Sequence, residues 1–548
     1  DVMHALVHLQ VLFAMSPFPE PVVMEVVALT EPEPEPLTAI TTTRDSKSAA
    51  KTKEPLPSAP LTVWTGSTFR AFANLLKTMV GAGVLTLPHA TSKFGLLASV
   101  VGIALAGYGT SAAIIFAVRC NAKVCERGSG GDEVGVWERI GRAAYGRLGV
   151  VSIISSLLIA QLGLSATYYD FIVVTIMQHA ALSHLHALAV TWVLLTLVSM
   201  IRKLSSVAIL SLVGLITYIY IIALLVAYSS EALDCSAANA SLTADQLQCA
   251  AKNGDIAGIS PICHPGAAEP IAMATWSGFG AWFGPAVFAF EGMGTAMSIY
   301  ASIGESMAED APPGTSSTVV RRYTDRAFRW VVGGAYSCGV VIYVGVGALG
   351  YLAFGSSVEG TILESFPEGP AKANAQIVLA VVLGCTFALQ MSPVWGVIEP
   401  AILGRGDYSA AWPVLRGVVV ALIAIACVLI PAVDAMMSLS GAVGFSLLGF
   451  ILPGLFFLKL NPNASVAVTL DRSVAAGLES MGRAESPGAS ANGGWGATLR
   501  KNALDVVVAI ALVAIGCTGS VLGVYDVFQQ QQHPDAAIEA SLGCSLDE

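Results

Sequence analysis

The residues best placed to do chemistry in this chain form two glycine clusters, each inside a long apolar run. The first cluster, 81–83, reads Gly-Ala-Gly, and the second, 291–294, reads Glu-Gly-Met-Gly. Glycine weakens a helix, and a helix interrupted within a bilayer exposes amide and carbonyl groups that lipid cannot satisfy. One such cluster is also compatible with close helix packing. Two clusters five runs apart favour a ligand site instead.

The two ends created by such a break differ in charge. A half-helix that ends at Val80 presents carbonyl oxygens, which suit an ammonium group or a cation. A half-helix that begins near Val84 presents free N–H groups, which suit a carboxylate. A zwitterionic amino acid needs both within a short distance, so the first break predicts an amino acid ligand.

Two ionisable side chains lie near these breaks. Glu291 is the only acidic residue deep in its run, and an ionised carboxylate there needs a cation or a water-filled cavity. Glu291 therefore either binds a proton or substrate, or forms a structural hydrogen bond across the break. Lys77, one turn before the first break, either pairs with an acid or extends toward the cytoplasm.

The elements that must position these residues are membrane helices. The chain is 55% hydrophobic and 12% charged, with a mean hydropathy of +0.69, whereas soluble domains carry about 25% charged residues. A membrane helix needs about 20 apolar residues. Eleven runs meet this need: 69–91, 95–119, 148–178, 187–202, 206–228, 276–303, 329–353, 375–398, 413–432, 435–459 and 502–526.

The basic residues predict the orientation of these eleven spans. With the N-terminus in the cytoplasm, only Lys93, Lys252 and Lys372 of the 28 Lys and Arg residues fall on the outer side, and Lys77 lies within the first span. This asymmetry follows the positive-inside rule. It supports both the count of eleven and a cytoplasmic N-terminus.

The longest outer loop, 229–275, carries the features of a non-cytosolic segment. It contains a glycosylation sequon at Asn239 and three cysteines that are candidates for a disulfide, Cys235, Cys249 and Cys263. Three cysteines leave two interpretations open, one disulfide with one free thiol or three unpaired thiols. A second sequon, at Asn463, falls on the inner side and is expected to stay unmodified.

The remaining segments divide the chain into regions. Residues 1–65 include a Glu-Pro repeat and no periodicity, which predicts a disordered cytoplasmic tail. Residues 66–460 form the predicted transporter core. They are followed by a mobile cytoplasmic loop at 461–500, the last span at 501–527 and a C-terminal tail at 528–548.

No catalytic constellation is present in the sequence. It has no metalloprotease His-Glu-x-x-His, no nucleophile elbow with its partners and no phosphate-binding loop. His179, His184 and His186 cluster in one outer loop without an acidic or cysteine partner beside them. We therefore expect no enzyme activity, no cofactor and no metal site. The partners we expect are an amino acid and the lipid bilayer, and not nucleic acid; the oligomeric state stays open.

Several motifs resemble one family. The run Asn74–Pro88 resembles the first span of the amino acid/auxin permease family, and Phe288–Gly292 resembles the sixth span of its proton-coupled branch, which includes vacuolar transporters. Further similar segments lie at Trp192–Leu204, Gly350–Gly355, Ser438–Gly444 and Pro453–Leu460. Together they cover about 65–460.

This resemblance implies a fold and a function. The fold is an all-α polytopic membrane protein of 11 transmembrane helices, a LeuT-type 5+5 inverted repeat (66–228 and 276–460) with broken helices 1 and 6. The function is symport of small neutral amino acids, often driven by protons, at the plasma membrane or a vacuolar or lysosomal membrane. The site residues implied are Thr78, Met79, Gly81, Ala82, Gly83, Phe288, Phe290, Glu291 and Gly292, with Glu291 as the proton-coupling group.

The implied fold also brings the third and eighth spans to the central site. Tyr168 or the neighbouring Tyr169 would cover the substrate, and Thr386 and Gln390 would contribute from the eighth span. One departure is that the proton-coupled branch often has histidine where this chain has Asn74. Two alternatives remain: sodium coupling, with Thr386 as a ligand, and a sensor that binds an amino acid without transporting it.

Overall fold

A computed structural model of the chain describes residues 66–126, 136–201, 208–238, 271–312, 315–403, 411–430, 433–461 and 493–532. In these ranges every regular element is a helix and no strand is present. The predicted all-α class is confirmed. Helices satisfy their own backbone groups, which is what a segment within lipid requires.

The helices follow the apolar runs in chain order. They are α1 (Gly66–Met79), α2 (Leu87–Phe94), α3 (Leu96–Glu126), α4 (Val136–Tyr145), α5 (Arg147–Ala180), α6 (His184–Ser199), α7 (Ala208–Ala238), α8 (Phe279–Ala289), α9 (Met293–Glu309), α10 (Ser317–Phe354), α11 (Pro370–Leu403), α12 (Trp412–Leu429), α13 (Val433–Leu439), α14 (Leu452–Leu460) and α15 (Gly493–Gln532). A short 3₁₀-helix at Ala82–Thr86 joins α1 to α2, and two π-helical segments within 440–451 join α13 to α14.

The predicted spans correspond to these helices. The first span is α1 with α2, the sixth is α8 with α9, and the tenth is α13 with α14. In the described ranges eight helices are long and apolar enough to cross a membrane, or nine when the bent pair α1–α2 is counted as one. Two shorter apolar helices, His184–Ser199 and Ile216–Ser230, lie at the fourth and fifth predicted spans.

The third, sixth and tenth spans pack closely in the centre. A β-carbon on Gly441 of the tenth span would overlap the carbonyl of Gly284 in the sixth. Ser440, next to Gly441, occupies the space beside Gly163 of the third span. Small residues allow these backbones to approach without side chains between them.

The outward helix faces carry large apolar side chains. Examples with more than half of their surface exposed are Leu105, Val341, Val381, Leu422, Leu429 and Ile510. In a bilayer these faces meet lipid rather than water. The molecule is therefore a multi-pass membrane protein, as the composition predicts.

Ion pairs join helices that are distant in sequence. Arg119 of α3 contacts Asp505 of α15 at 2.6 Å. The Arg416 guanidinium of α12 contacts Glu399 of α11 at 2.6 Å and also donates to the Ser199 carbonyl of α6. Carboxylate and guanidinium satisfy each other at these helix ends.

Candidate functional site

The first span breaks at the predicted glycine cluster. Helix α1 ends at Met79, the backbone leaves the helix at Val80 and Gly81, and the two halves are bent by 47°. Among the described residues no backbone carbonyl accepts a hydrogen bond from the N–H groups of 81–83. This break therefore presents several donors that a ligand can use.

The sixth span is interrupted by three residues that separate its two helical halves. Helix α8 ends at Ala289 and α9 begins at Met293, so that Phe290, Glu291 and Gly292 are not helical. The N–H groups in the first turn of α9 have no acceptor within the helix, because the residues that precede them are not helical. The second break thus also exposes backbone donors.

The two breaks lie against each other. A β-carbon on Gly83 would come within 2.7 Å of the Ala289 Cα and 2.9 Å of the Phe288 ring. Only glycine permits this approach, because 2.7 Å is shorter than any normal carbon–carbon contact. The end of α1 also lies against the second break, because a β-carbon on Gly292 would be 3.3 Å from Met79 Cγ.

Tyr343 of α10, which the sequence analysis did not single out, joins the two breaks. Its hydroxyl oxygen lies 2.5 Å from the carbonyl oxygen of Met79 and 2.8 Å from that of Ala289, so that its single hydrogen lies between the two acceptors. Its ring packs on Phe290, with the ring centroids 4.8 Å apart. A tyrosine in an apolar run gives no sequence signal for this role, because only the fold shows which carbonyls its hydroxyl reaches.

Glu291 lies within the second break and has the side-chain amide of Gln161 as a neighbour. The Gln161 side chain of the third span is within hydrogen-bond reach of the Glu291 carboxyl. No basic side chain in the described ranges forms an ion pair with Glu291. An ionised carboxylate at this depth is unpaired, so a proton or a cationic ligand is needed to neutralise it.

Aromatic hydroxyls surround this carboxyl. Tyr168, Tyr218 and Tyr336 lie within electrostatic range of Glu291. The amide of Gln390 in the eighth span donates to the Tyr168 hydroxyl at 3.4 Å. The third and eighth spans therefore meet beside the breaks, and both contribute a polar side chain.

A segment between the seventh and eighth spans packs against the part of the first span that follows its break. The Ile362 N–H of this segment donates to the Leu85 carbonyl at 2.9 Å. His89 of α2 contacts the Val358 carbonyl through Nδ1 at 2.9 Å and the Asp434 carboxylate through Nε2 at 3.9 Å. These contacts close the outer end of the site in this structure.

One cavity among the described residues lies away from the breaks. It has a volume of about 500 Å³ and lies where the sixth span ends and the seventh begins. Tyr300, Gly304 and Arg321 are among its lining residues. The breaks themselves are packed, with Met79, Phe288 and Phe290 almost fully buried.

Two residues implied by the resemblance have their hydroxyl groups hydrogen-bonded within their own helices. The Thr78 hydroxyl donates to the Asn74 carbonyl at 2.9 Å. The Thr386 hydroxyl donates to the carbonyl of Val382 at 2.9 Å. Tyr169 also points away, because its hydroxyl donates to the Leu188 carbonyl of the fourth span at 2.6 Å.

The features predicted for the outer loop fall outside the described residues. Asn239, Cys249 and Cys263 belong to this undescribed part. Cys235 lies in the final turns of α7, where only the backbone is described. The disulfide and the glycan stay predictions.

Taken together, the geometry offers a small amphipathic ligand three kinds of partner. The first break supplies N–H donors for a carboxylate, and Glu291 supplies a group that takes up a proton or faces a cation. Aromatic rings from the sixth and seventh spans limit the space.

Comparison with known proteins agrees with this chemistry. Residues 64–469 match the family described as "Transmembrane amino acid transporter protein". Amino acid transporter AVT3C of Arabidopsis thaliana is 28% identical over 393 residues, which cover 72% of this chain and 83% of that protein. Amino acid transporter AVT3B of the same plant is 27% identical over 396 residues, which cover 72% of this chain and 85% of that protein.

A fungal relative and a solved structure extend the comparison. Vacuolar amino acid transporter 3 of Schizosaccharomyces pombe is 24% identical over 419 residues, which cover 73% of this chain and 55% of that protein. A variant of the manganese transporter of Eremococcus coleocola superposes with a TM-score of 0.37 and 14% identity, covering 87% of this chain and 98% of that one.

Proposed function

The chain belongs to the transmembrane amino acid transporter family, whose members named above are transporters and not enzymes, and on this premise we propose that it is a secondary active symporter of small neutral amino acids and protons. The observation that carries the proposal is the contact between two helix breaks beside Glu291, a carboxyl with no basic partner among the described residues.

The backbone of the breaks recognises the zwitterion. The carboxylate of the substrate accepts hydrogen bonds from the N–H groups of 81–83, at the positive end of the following half-helix. The ammonium faces the carbonyls of Val80 and Phe290, to which no backbone donor of the described residues is bonded. Because these contacts use only backbone, they select for the amino acid group and not for a side chain.

The surrounding rings restrict the size of the substrate. Phe290 lies between Tyr336 and Tyr343, with centroid distances of 6.0 and 4.8 Å. Tyr168 closes the site from the third span and is 5% exposed. Little room remains for a long or charged side chain, which favours alanine, serine or proline over lysine or tryptophan.

Glu291 binds the coupled proton. An unpaired carboxylate in a low-dielectric site carries a high energetic cost, and protonation removes that cost while the site is closed. The Gln161 amide can hydrogen-bond to either protonation state. Proton release then follows when the site opens to the cytoplasm and water reaches the carboxyl.

The scaffold we propose has eleven spans with two inverted five-helix repeats, 66–228 and 276–460. In support, each repeat begins with a broken span. In further support, Tyr168 and Gln390 meet from the third and the eighth spans, which are equivalent members of the two repeats. Alternating access would rock one set of helices against the other around the breaks.

We propose a vacuolar or lysosomal membrane, with the N-terminus in the cytoplasm. The vacuolar designation of the fungal relative supports this choice. The lumen of such a compartment is the outer side of the protein, so an acidic lumen would drive amino acids into the cytosol. The plasma membrane is the alternative location.

Uptake into proteoliposomes tests the proposal. Radiolabelled alanine and proline are followed in sodium-free buffer with and without a pH gradient, for the wild type and for Glu291→Gln. We expect the gradient to raise wild-type uptake about tenfold or more and to have almost no effect on Glu291→Gln, because the amide cannot take up the proton.

A matched control and the contrary outcomes are available. Glu309→Gln removes an exposed carboxylate at the end of α9 and should behave as the wild type does. Wild-type uptake that requires sodium and ignores the pH gradient would replace proton coupling by sodium coupling. Amino acid binding without flux under any gradient would identify a sensor.

A further inference from the structure

The Tyr343 hydroxyl occupies an electrostatically unusual position. The two carbonyls that it contacts, at 2.5 and 2.8 Å, belong to Met79 and Ala289. These are the last residues of α1 and α8, so both contacts are at the C-terminal end of a half-helix. Tyr343 itself is fully buried.

Two such ends repel each other. Each helix C-terminus carries a partial negative charge on its unsatisfied carbonyls, and here two of them converge on one point away from water. In transporters with broken helices, this kind of end coordinates the coupling cation. Some positive group has to lie between the carbonyls, and in this chain it is the hydrogen of a tyrosine hydroxyl.

We propose that the Tyr343 hydroxyl takes the place of an alkali cation between the two breaks and holds them together, so that transport needs no sodium at this junction. This inference rests on the proposed function and deepens it, because it gives a structural reason for coupling to protons alone. Tyr343 is a positioning residue, since it acts on the breaks and not on the substrate.

The neighbouring residues support a fixed position for this hydroxyl. The ring packs on Phe290. One turn earlier on α10, Gly339 leaves room for Met79, since a β-carbon there would lie 2.8 Å from Met79 Cε. The seventh span is thus held close to the first break by packing, and the hydroxyl cannot withdraw without moving the helix.

Tyr343→Phe isolates the hydroxyl, because the ring and its packing remain. The substitution leaves two buried carbonyls facing each other without a donor. We expect alanine uptake driven by a pH gradient in choline buffer to fall about tenfold or more. Sodium should restore a large part of it, because the cation can enter the space that the hydroxyl has vacated.

Tyr169→Phe is the matched control. It removes an equally buried hydroxyl from a single carbonyl, that of Leu188, away from both breaks. Uptake by Tyr169→Phe and by the wild type should be the same in sodium and choline. Thermal unfolding of all three proteins, followed by tryptophan fluorescence, shows whether the variants are folded.

The outcomes separate this inference from the proposed function. Wild-type uptake that requires sodium overturns it, as does Tyr343→Phe uptake equal to the wild type in choline. Low Tyr343→Phe uptake that sodium does not restore overturns the cation replacement. If Tyr343→Phe does not fold, wild-type uptake is compared in sodium and in choline. A requirement for sodium then overturns the inference, and equal uptake in the two salts supports it. An absence of wild-type uptake in both salts overturns the proposed function and, with it, this inference.

Discussion

At the scale of single residues, the contact between the two breaks depends on the missing side chain of Gly83. Its neighbours across the contact are the Ala289 backbone and the Phe288 ring. Backbone cannot move aside as a flexible side chain can, so any larger residue at position 83 must separate the breaks. The hydrogen bonds from Tyr343 to both breaks would then be lost together.

The expected consequence of Gly83→Ala is a destabilised protein without transport. A β-carbon 2.7 Å from a backbone Cα overpacks the site, which typically costs about 1–3 kcal/mol. Thermal unfolding in detergent and alanine uptake in liposomes measure the two effects.

Gly333→Ala is the control for this prediction. Gly333 lies within α10, where a β-carbon would meet nothing within 4 Å. Alanine there should keep transport intact and stabilise the helix by up to about 1 kcal/mol. Equal unfolding temperatures and equal alanine uptake for Gly83→Ala and Gly333→Ala would argue against close contact between the breaks.

At the scale of elements, the segment 358–369 acts as an outer cover. The Ile362 N–H donates a hydrogen bond to the Leu85 carbonyl of the first span. The Val358 carbonyl accepts a hydrogen bond from Nδ1 of His89, which also belongs to the first span. Lys372, at the start of α11, holds the same segment by its contacts with Glu368 and the Glu364 carbonyl. The cover therefore connects the first, eighth and tenth spans on one side of the membrane.

The charge of this cover depends on Glu364. Burial raises the pKa of the Glu364 carboxyl, and the nearby Glu359 and Asp434 carboxylates raise it further, while the Thr361 N–H and Lys372 act in the opposite direction. The folded state therefore binds this proton more tightly than the unfolded chain does. Its stabilising contribution is complete below the unfolded-state pKa and is lost as the pH rises through the folded-state pKa.

Glu364→Gln should remove this part of the pH dependence. The amide keeps the shape of the protonated carboxyl but does not ionise. We expect the unfolding midpoint of the wild type to fall more steeply than that of Glu364→Gln as the pH rises above the ordinary glutamate pKa of about 4.3. Parallel curves would show that Glu364 titrates alike in the folded and unfolded states.

At the scale of the whole molecule, the distribution of charge predicts the orientation in the membrane. Basic residues crowd the ends of the spans on one side, including Arg119 and Arg416, which also form ion pairs there. On the predicted outer side, the 229–275 loop carries few basic residues and a sequon. The distribution of charge and the sequon thus predict which side each loop faces and which loop is available for modification.

Glycosylation tests this orientation in intact cells. We expect Asn239, which lies outside the described residues, to carry a glycan, and Asn463 to carry none because its loop faces the cytoplasm. Asn239→Gln should abolish the mobility shift seen on enzymatic deglycosylation, and Asn463→Gln should leave it unchanged. The reverse pattern would invert the proposed topology.

The class of the protein, its family and the positions of the two breaks can be predicted from the sequence alone. They follow from local signals: long apolar runs specify membrane helices, and the glycine clusters at 81–83 and 291–294 mark the places where the first and sixth runs are interrupted. Glu291 stands out for the same reason, since an acid within an apolar run is visible without any structure.

The contacts that the two breaks make with other residues are visible in the tertiary structure and not in the sequence. Tyr343 is one of several tyrosines in apolar runs, and its two acceptors, the carbonyls of Met79 and Ala289, are 264 and 54 residues away in the chain. Thr78 and Thr386, which the resemblance placed at the site, bond to their own helices. The direction of a side chain depends on how helices rotate and pack against one another, and that packing is a property of the whole fold.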